Sequence, residues 1–103
     1  MNKKQMVRSN FRDSVFARDK NKCLRCPVNV KLDAHHITDR TKMPNGGYVK
    51  ENGATLCEVH HLEAEQFHIS DGKTWVEGMH PNDLYKLIDS SYEIAYKASE
   101  RLK

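Results

Sequence analysis

Apolar positions recur first at helical and then at strand spacing along the chain. Phe11, Val15 and Phe16, interleaved with Arg12 and Arg18, predict a helix over roughly residues 10–19. Asp19-Lys20-Asn21-Lys22 reads as a turn leading into Cys23-Leu24-Arg25-Cys26-Pro27. Val28, Val30 and Leu32 then alternate with polar residues and run on to Ala34 and Ile37, which predicts extended chain. Pro44, Asn45-Gly46-Gly47 and Asn52-Gly53 mark Thr38 to Gly53 as loop. A short strand, Ala54-Thr55-Leu56, leads into Cys57. Residues 57–68 carry Glu and Ala but neither Gly nor Pro, and predict a helix. Residues 69–80 are irregular, with a turn at Asp71-Gly72. Pro81-Asn82-Asp83 opens a long final helix over about residues 82–102. Its stripe of Leu84, Leu87, Ile88, Ala95, Ala98 and Leu102, with Ile94 at the edge, is a packing face against the domain or a partner chain. Helix, strand pair, helix, helix is an α+β order.

Composition adds a stability problem. The chain has 103 residues, the size of one domain spanning 1–103, with 38% hydrophobic and 30% charged residues. A domain of this size buries a modest share of its surface, and a core this lean calls for a staple. Three cysteines and six histidines suggest a metal, because an odd cysteine count does not close a disulfide framework. Asn2-Lys3-Lys4-Gln5 opens no apolar run of signal-peptide type, and no stretch approaches the ~20 apolar residues of a membrane span. The expected setting is reducing and intracellular, the cytoplasm, with no membrane partner.

Charge is uneven. The formal net charge of +3 is the balance of +7 over residues 1–31, zero over 32–56 and −4 over 57–103. A basic arm beside an acidic half suits a face that meets a polyanion, although a solvated lysine-rich tail has the same composition.

The cysteines pair by spacing. Cys23-x-x-Cys26 lets the backbone turn tightly and aim both sulfurs at one ion, and Cys57-x-x-His60 repeats the spacing thirty residues on. Together they make a tetrahedral Cys3His set suited to structural zinc. A redox Cys-x-x-Cys pair would want a βαβ context, which this order lacks; free buried cysteines are the other alternative. Binding free energy at such sites is on the order of 10 kcal/mol, enough to offset a weak core. Asp33-Ala34-His35-His36-Ile37 and His61 are then left over. Adjacent residues on a strand face opposite sides, so His35 and His36 divide their work, one toward a metal and one toward a substrate. His60 and His61 lie about 100° apart on a helix, so one turns to the knuckle and the other to the strand pair.

His35-His36-Ile37, Asn52 five residues before Cys57, and His61 directly after Cys57-x-x-His60 resemble the HNH endonucleases of the ββα-metal superfamily. The likeness is to the branch with a four-ligand zinc knuckle, and it extends to the lead-in Phe11-Arg12-Asp13-Ser14-Val15-Phe16-Ala17-Arg18-Asp19. It covers about residues 10–68. It implies a small ββα-metal core flanked by an N-terminal helix and a long C-terminal helix. His36 would be the general base, His35 and His61 ligands of a catalytic divalent ion, and Asn52 the clamp of the loop between the strands. Cys23, Cys26, Cys57 and His60 would hold zinc, with His60 standing where a cysteine is commoner. The implied catalytic ion is Mg2+ or Mn2+, with Ni2+ or Zn2+ as alternatives.

The chemistry suits these residue types on its own terms. An unperturbed histidine titrates near 6.5, so a neutral imidazole is available at neutral pH. A divalent ion beside a phosphodiester offsets developing charge and stabilises the leaving oxygen. Glu65, four residues after His61, and His68, seven after it, share the His61 helix face; each is a candidate further ligand or a solvated residue. His80 beside Pro81 reads as a helix start or surface residue. Arg40, Lys42 and Lys50 in the loop, with Lys3, Lys4, Arg8, Arg12 and Arg18 in the arm, are candidate phosphate contacts, and Tyr48 a candidate sugar or base contact.

The resulting expectation is a metal-dependent HNH endonuclease that nicks or cuts DNA, of a kind resembling small phage-encoded enzymes of genome processing and packaging. A zinc-stapled DNA-binding module without turnover, or a packaging adaptor docking through the final helix, is the alternative. That helix is also the candidate homodimer interface.

Overall fold

The computed structural model describes residues 2–102. Four helices flank a two-stranded antiparallel sheet, an α+β arrangement. Helix α1 spans Lys3–Arg18. It starts earlier than its apolar residues suggest because Asn2 and Gln5 form a reciprocal cap: the Gln5 N–H donates to Asn2 Oδ1 at 2.8 Å, and the Asn2 N–H to Gln5 Oε1 at 3.2 Å. Phe11 and Val15 are its buried residues. Lys20 and Asn21, with φ of 58° and 56°, end it in the predicted turn.

Strand β1 is Leu32–His36 and β2 is Gly53–Cys57, in register from Leu32 opposite Cys57 to His36 opposite Gly53. Val28 and Val30 do not join β1, contrary to their alternation. The Val28 carbonyl is taken by the Cys23 N–H at 2.9 Å, and Lys31 has a left-handed φ of 52° that breaks the extended run. The intervening loop is wound into short 3₁₀ turns at Arg40–Lys42, Pro44–Gly47 and Lys50–Asn52. Helix α2, Glu58–Ile69, follows β2 directly.

The long final helix is corrected to two helices, α3 at Pro81–Leu87 and α4 at Tyr92–Glu100. Asp89-Ser90-Ser91 favours turn and cap geometry over helix interior. Asp89 takes a φ of 53°, and Ser91 Oγ accepts the Ile94 N–H at 3.1 Å, capping α4. The break re-aims the apolar stripe: Leu84, Ala95 and Ala98 are buried, whereas Leu87 and Ile94 face solvent.

Ile37, Leu56, Met79 and Leu84 centre the core, joined by the sheet residue Ala54. Helix α1 lies so close to β2 that a Cβ on Gly53 would sit 2.8 Å from the Phe11 ring and closer still to Val15. That approach sets α1 against the sheet at its His36 end. No described helix is long and apolar enough to cross a membrane.

Candidate functional site

The five-residue ladder carries a candidate site at each end. At the Leu32–Cys57 end, the Cys23–Cys26 turn is tied to β2 by the Leu24 N–H donating to the Thr55 carbonyl at 2.9 Å. Cys57 closes β2 and precedes α2, and His60 lies one turn into that helix. Cys26 Sγ is 3.7 Å from Cys57 Sγ, and His60 Nδ1 is 3.3 Å from Cys57 Sγ and 3.6 Å from Cys23 Sγ. A tetrahedron with zinc–sulfur bonds of about 2.3 Å and a zinc–nitrogen bond of about 2.0 Å has edges of roughly 3.5–3.8 Å. The Cys3His cluster therefore has the donors and spacing to hold zinc, and all three cysteines are free thiols. The Arg25 N–H points at Cys23 Sγ at 3.4 Å, as an outer hydrogen bond to a ligating thiolate would. The backbone N–H of His60 pulls the Cys57 thiol down to about 7, with the His60 ring assisting, so the thiolate is accessible near neutrality.

At the other end His35 points toward α2. It is 2% exposed, its ring 5.2 Å from His61 and stacked 5.3 Å from His68. His35 Nδ1 is buried and approaches Glu65 Oε1 to 3.3 Å without making a hydrogen bond. The same Glu65 oxygen lies 3.1 Å from His61 Nε2, and the other His61 nitrogen donates to Asp33 Oδ2 at 3.2 Å. Burial lowers the His35 pKa, while Glu65 and Asp33 raise that of His61; the two rings, His35 first, hold the Glu65 carboxyl far below its usual range. Two imidazoles and an ionised carboxylate thus converge, with a buried nitrogen lacking a partner. Such a set has the donors to hold a divalent cation, with three protein ligands leaving coordination positions open. Asp33 orients the His61 ring from behind, the role an outer carboxylate plays at histidine-ligated metals.

His36 turns the other way, as a strand neighbour must. Its ring stacks on Phe11 at 4.5 Å and meets the Tyr48 ring edge-on at 4.7 Å. His36 Nε2 is buried without a partner. Burial, then the neighbouring His35 and Arg40, push its pKa down to about 4. A cavity of about 300 Å3 brings His36 together with His61, Glu65, His68 and Arg40. His68 Nε2 donates to the His36 carbonyl at 2.9 Å, so its place is beside the His35–His61–Glu65 set rather than within it.

Asn52 is fully buried and ties the loop shut. Its Oδ1 accepts the Thr38 N–H at 2.9 Å and the Tyr85 hydroxyl at 2.8 Å, and its Nδ2 donates to the carbonyls of Thr38 at 3.1 Å and Gly47 at 3.2 Å. Gly47, at φ 66°, leaves no room for a Cβ beside Nδ2. Tyr85 escaped the sequence reading although it precedes Ile88 by one helical turn; its hydroxyl also meets Thr38 Oγ1 at 2.6 Å. Asp33 escaped it too, although strand alternation puts it on the His35 face.

The basic residues sort into different roles. Arg18 is a structural strap and not a free cation: it donates to the Lys50 and Gly53 carbonyls at 2.6 Å and pairs with Asp19. Lys42 pairs with Asp71 at 3.0 Å, and Arg12 lies over Phe16. Arg40 donates to the Tyr48 hydroxyl at 3.0 Å and lines the His36 cavity. His80 caps α3, its Nδ1 accepting the Asn82 N–H at 3.0 Å. A comparison with protein-family models, curated proteins and solved structures found no match.

Proposed function

We propose that this chain is a metal-dependent endonuclease of HNH type that hydrolyses DNA phosphodiester bonds. The convergence of His35, His61 and Glu65 beside His36 carries this reading, because a zinc-stapled binding module needs no second cluster of two imidazoles on one shared carboxylate. The β1–loop–β2–α2 order, with Asn52 fastening the loop, supports it. His35, His61 and Glu65 would hold a divalent ion such as Mg2+ or Mn2+, while Cys23, Cys26, Cys57 and His60 would hold structural zinc.

When bound, the divalent ion supplies charge neutralisation on the phosphate and stabilisation of the departing 3′-oxygen. His36 accepts a proton from water as the water oxygen bonds to phosphorus and the bond to the 3′-oxygen breaks, the 3′-oxygen leaving with the bonding pair and taking its proton from solvent water. With Nε2 buried, Nδ1 is the nitrogen for that transfer. Phe11 and Tyr48 fix the ring from two sides, and His68 fixes its carbonyl. The depressed His36 pKa keeps the imidazole neutral, and an anionic phosphate arriving beside it raises its basicity toward the working range. Arg40 provides a cation for a non-bridging oxygen.

Supercoiled plasmid with Mg2+ or Mn2+ tests the reading. Nicking by the wild type and its loss in a folded His36→Ala variant are expected. A zinc-loaded protein that binds plasmid but leaves it intact is instead the zinc-stapled DNA-binding module.

A further inference from the structure

A cleft of about 550 Å3 opens between the first turns of α1 and the 45–48 loop. Lys3, Lys4 and Arg8 line it together with the apolar Val7 and Leu102, Tyr48 lines it from the loop side, and no acidic side chain lines it among the described residues. Arg8 rests over the Tyr48 ring at 5.9 Å. On its far side Tyr48 meets His36 edge-on and takes a hydrogen bond from Arg40, so this ring stands between the cleft and the His36 cavity. Lys3 and Lys4 also sit in the first turn of a helix that has no acidic residue there, facing the positive end of its dipole. Helix stability disfavours that placement, and an anionic ligand would relieve it.

We propose that this cleft binds the phosphodiester backbone of a DNA strand, with Tyr48 and Arg40 leading the strand from the cleft to the His36 cavity. Three cations grouped around one acid-free cleft concentrate a polyanion more than isolated surface charges do, and its apolar lining with the Tyr48 ring offers sugars a surface to pack on. Backbone contacts of this kind position a strand without reading its sequence. The inference rests on the nuclease reading only for where the strand leads.

The test is fluorescence anisotropy of a short labelled DNA duplex over a range of salt, using the full chain loaded with zinc and without Mg2+ or Mn2+. A Lys3→Gln/Lys4→Gln/Arg8→Gln variant should bind at least ~10-fold more weakly. Its log-affinity against log-salt slope should fall by about three, near one per lost phosphate contact. Its melting temperature should not fall, since two cations leave a helix N-terminus. A Lys73→Gln/Lys86→Gln/Lys97→Gln variant, of equal net charge, should keep most of the wild-type slope. Equal losses in both variants, or an unchanged slope in the cleft variant, would overturn the proposal. Because no cleavage is read, a chain that binds through the cleft but never nicks plasmid would refute the nuclease reading and leave this inference standing.

Discussion

Replacing Asn52 by alanine should destabilise the chain by about 3–5 kcal/mol. The side chain makes four hydrogen bonds in a fully buried position: from the Thr38 N–H and the Tyr85 hydroxyl, and to the carbonyls of Thr38 and Gly47. The Tyr85 hydroxyl keeps Thr38 Oγ1 as a partner, so its loss is partial. The buried Gly47 carbonyl and the half-buried Thr38 N–H and carbonyl lose the side chain's bonds, at about 1–3 kcal/mol for a buried group left without a partner and toward the lower end for the half-buried two. The sum is large against the roughly 5–15 kcal/mol typical of a domain. Urea unfolding at constant zinc measures it. Tyr85→Phe should lose about 1 kcal/mol, and the double variant less than the sum of the singles, since both touch Thr38. Asn52→Asp keeps the acceptor but turns a carboxylate on two carbonyls, so it should recover stability when protonated. A loss below about 1 kcal/mol in Asn52→Ala would refute the clamp.

Other outcomes follow from the same structure. Removing zinc with a chelator should unfold the chain by far-UV circular dichroism, because about 10 kcal/mol of binding is lost; an unchanged urea midpoint would contradict this. Gly53→Ala should weaken the α1–sheet contact by roughly 1–3 kcal/mol, as overpacking does, with a matching drop in thermal midpoint. A variant as stable as wild type would mean that Phe11 and Val15 yield easily. The folded chain holds His36 at about 4, below its ordinary 6.5, so this group's stability is present above 6.5 and lost as pH falls toward 4. By pH 5 the loss is about 2 kcal/mol. His36→Gln should flatten the acid limb of stability by that amount, with His35 adding in the same direction and His61 opposing it. Parallel limbs for the two proteins would show that His36 is not shielded.

Legibility in the sequence followed the strength of local constraint. The Cys-x-x-Cys and Cys-x-x-His spacings are set by a tight turn and one helical turn, so the Cys3His cluster could be assembled from spacing alone. The opposite aims of His35 and His36 follow from strand alternation, and the split of His60 from His61 from helical rotation. Val28 and Val30 misled because their alternation is local, whereas the knuckle's hydrogen bond from Cys23 to the Val28 carbonyl is a demand of the turn. The final helix misled because a periodic stripe outweighed Asp89-Ser90-Ser91, whose turn and cap chemistry breaks it. Tyr85 and Asp33 needed tertiary context: each touches a partner at least 28 residues away. Arg18 resembled a phosphate contact until the carbonyls of Lys50 and Gly53 claimed it.

The proposed endonuclease depends on His35 and His61, left over from the Cys3His cluster, holding a second metal together with Glu65. The most direct test is electron paramagnetic resonance of Mn2+ titrated into protein carrying stoichiometric zinc. Loss of the free Mn2+ signal at one equivalent is expected in the wild type and absent in His61→Ala/Glu65→Ala, with zinc content unchanged in both. Mn2+ that stays free in the wild type, or is bound equally by the double variant, would contradict the account.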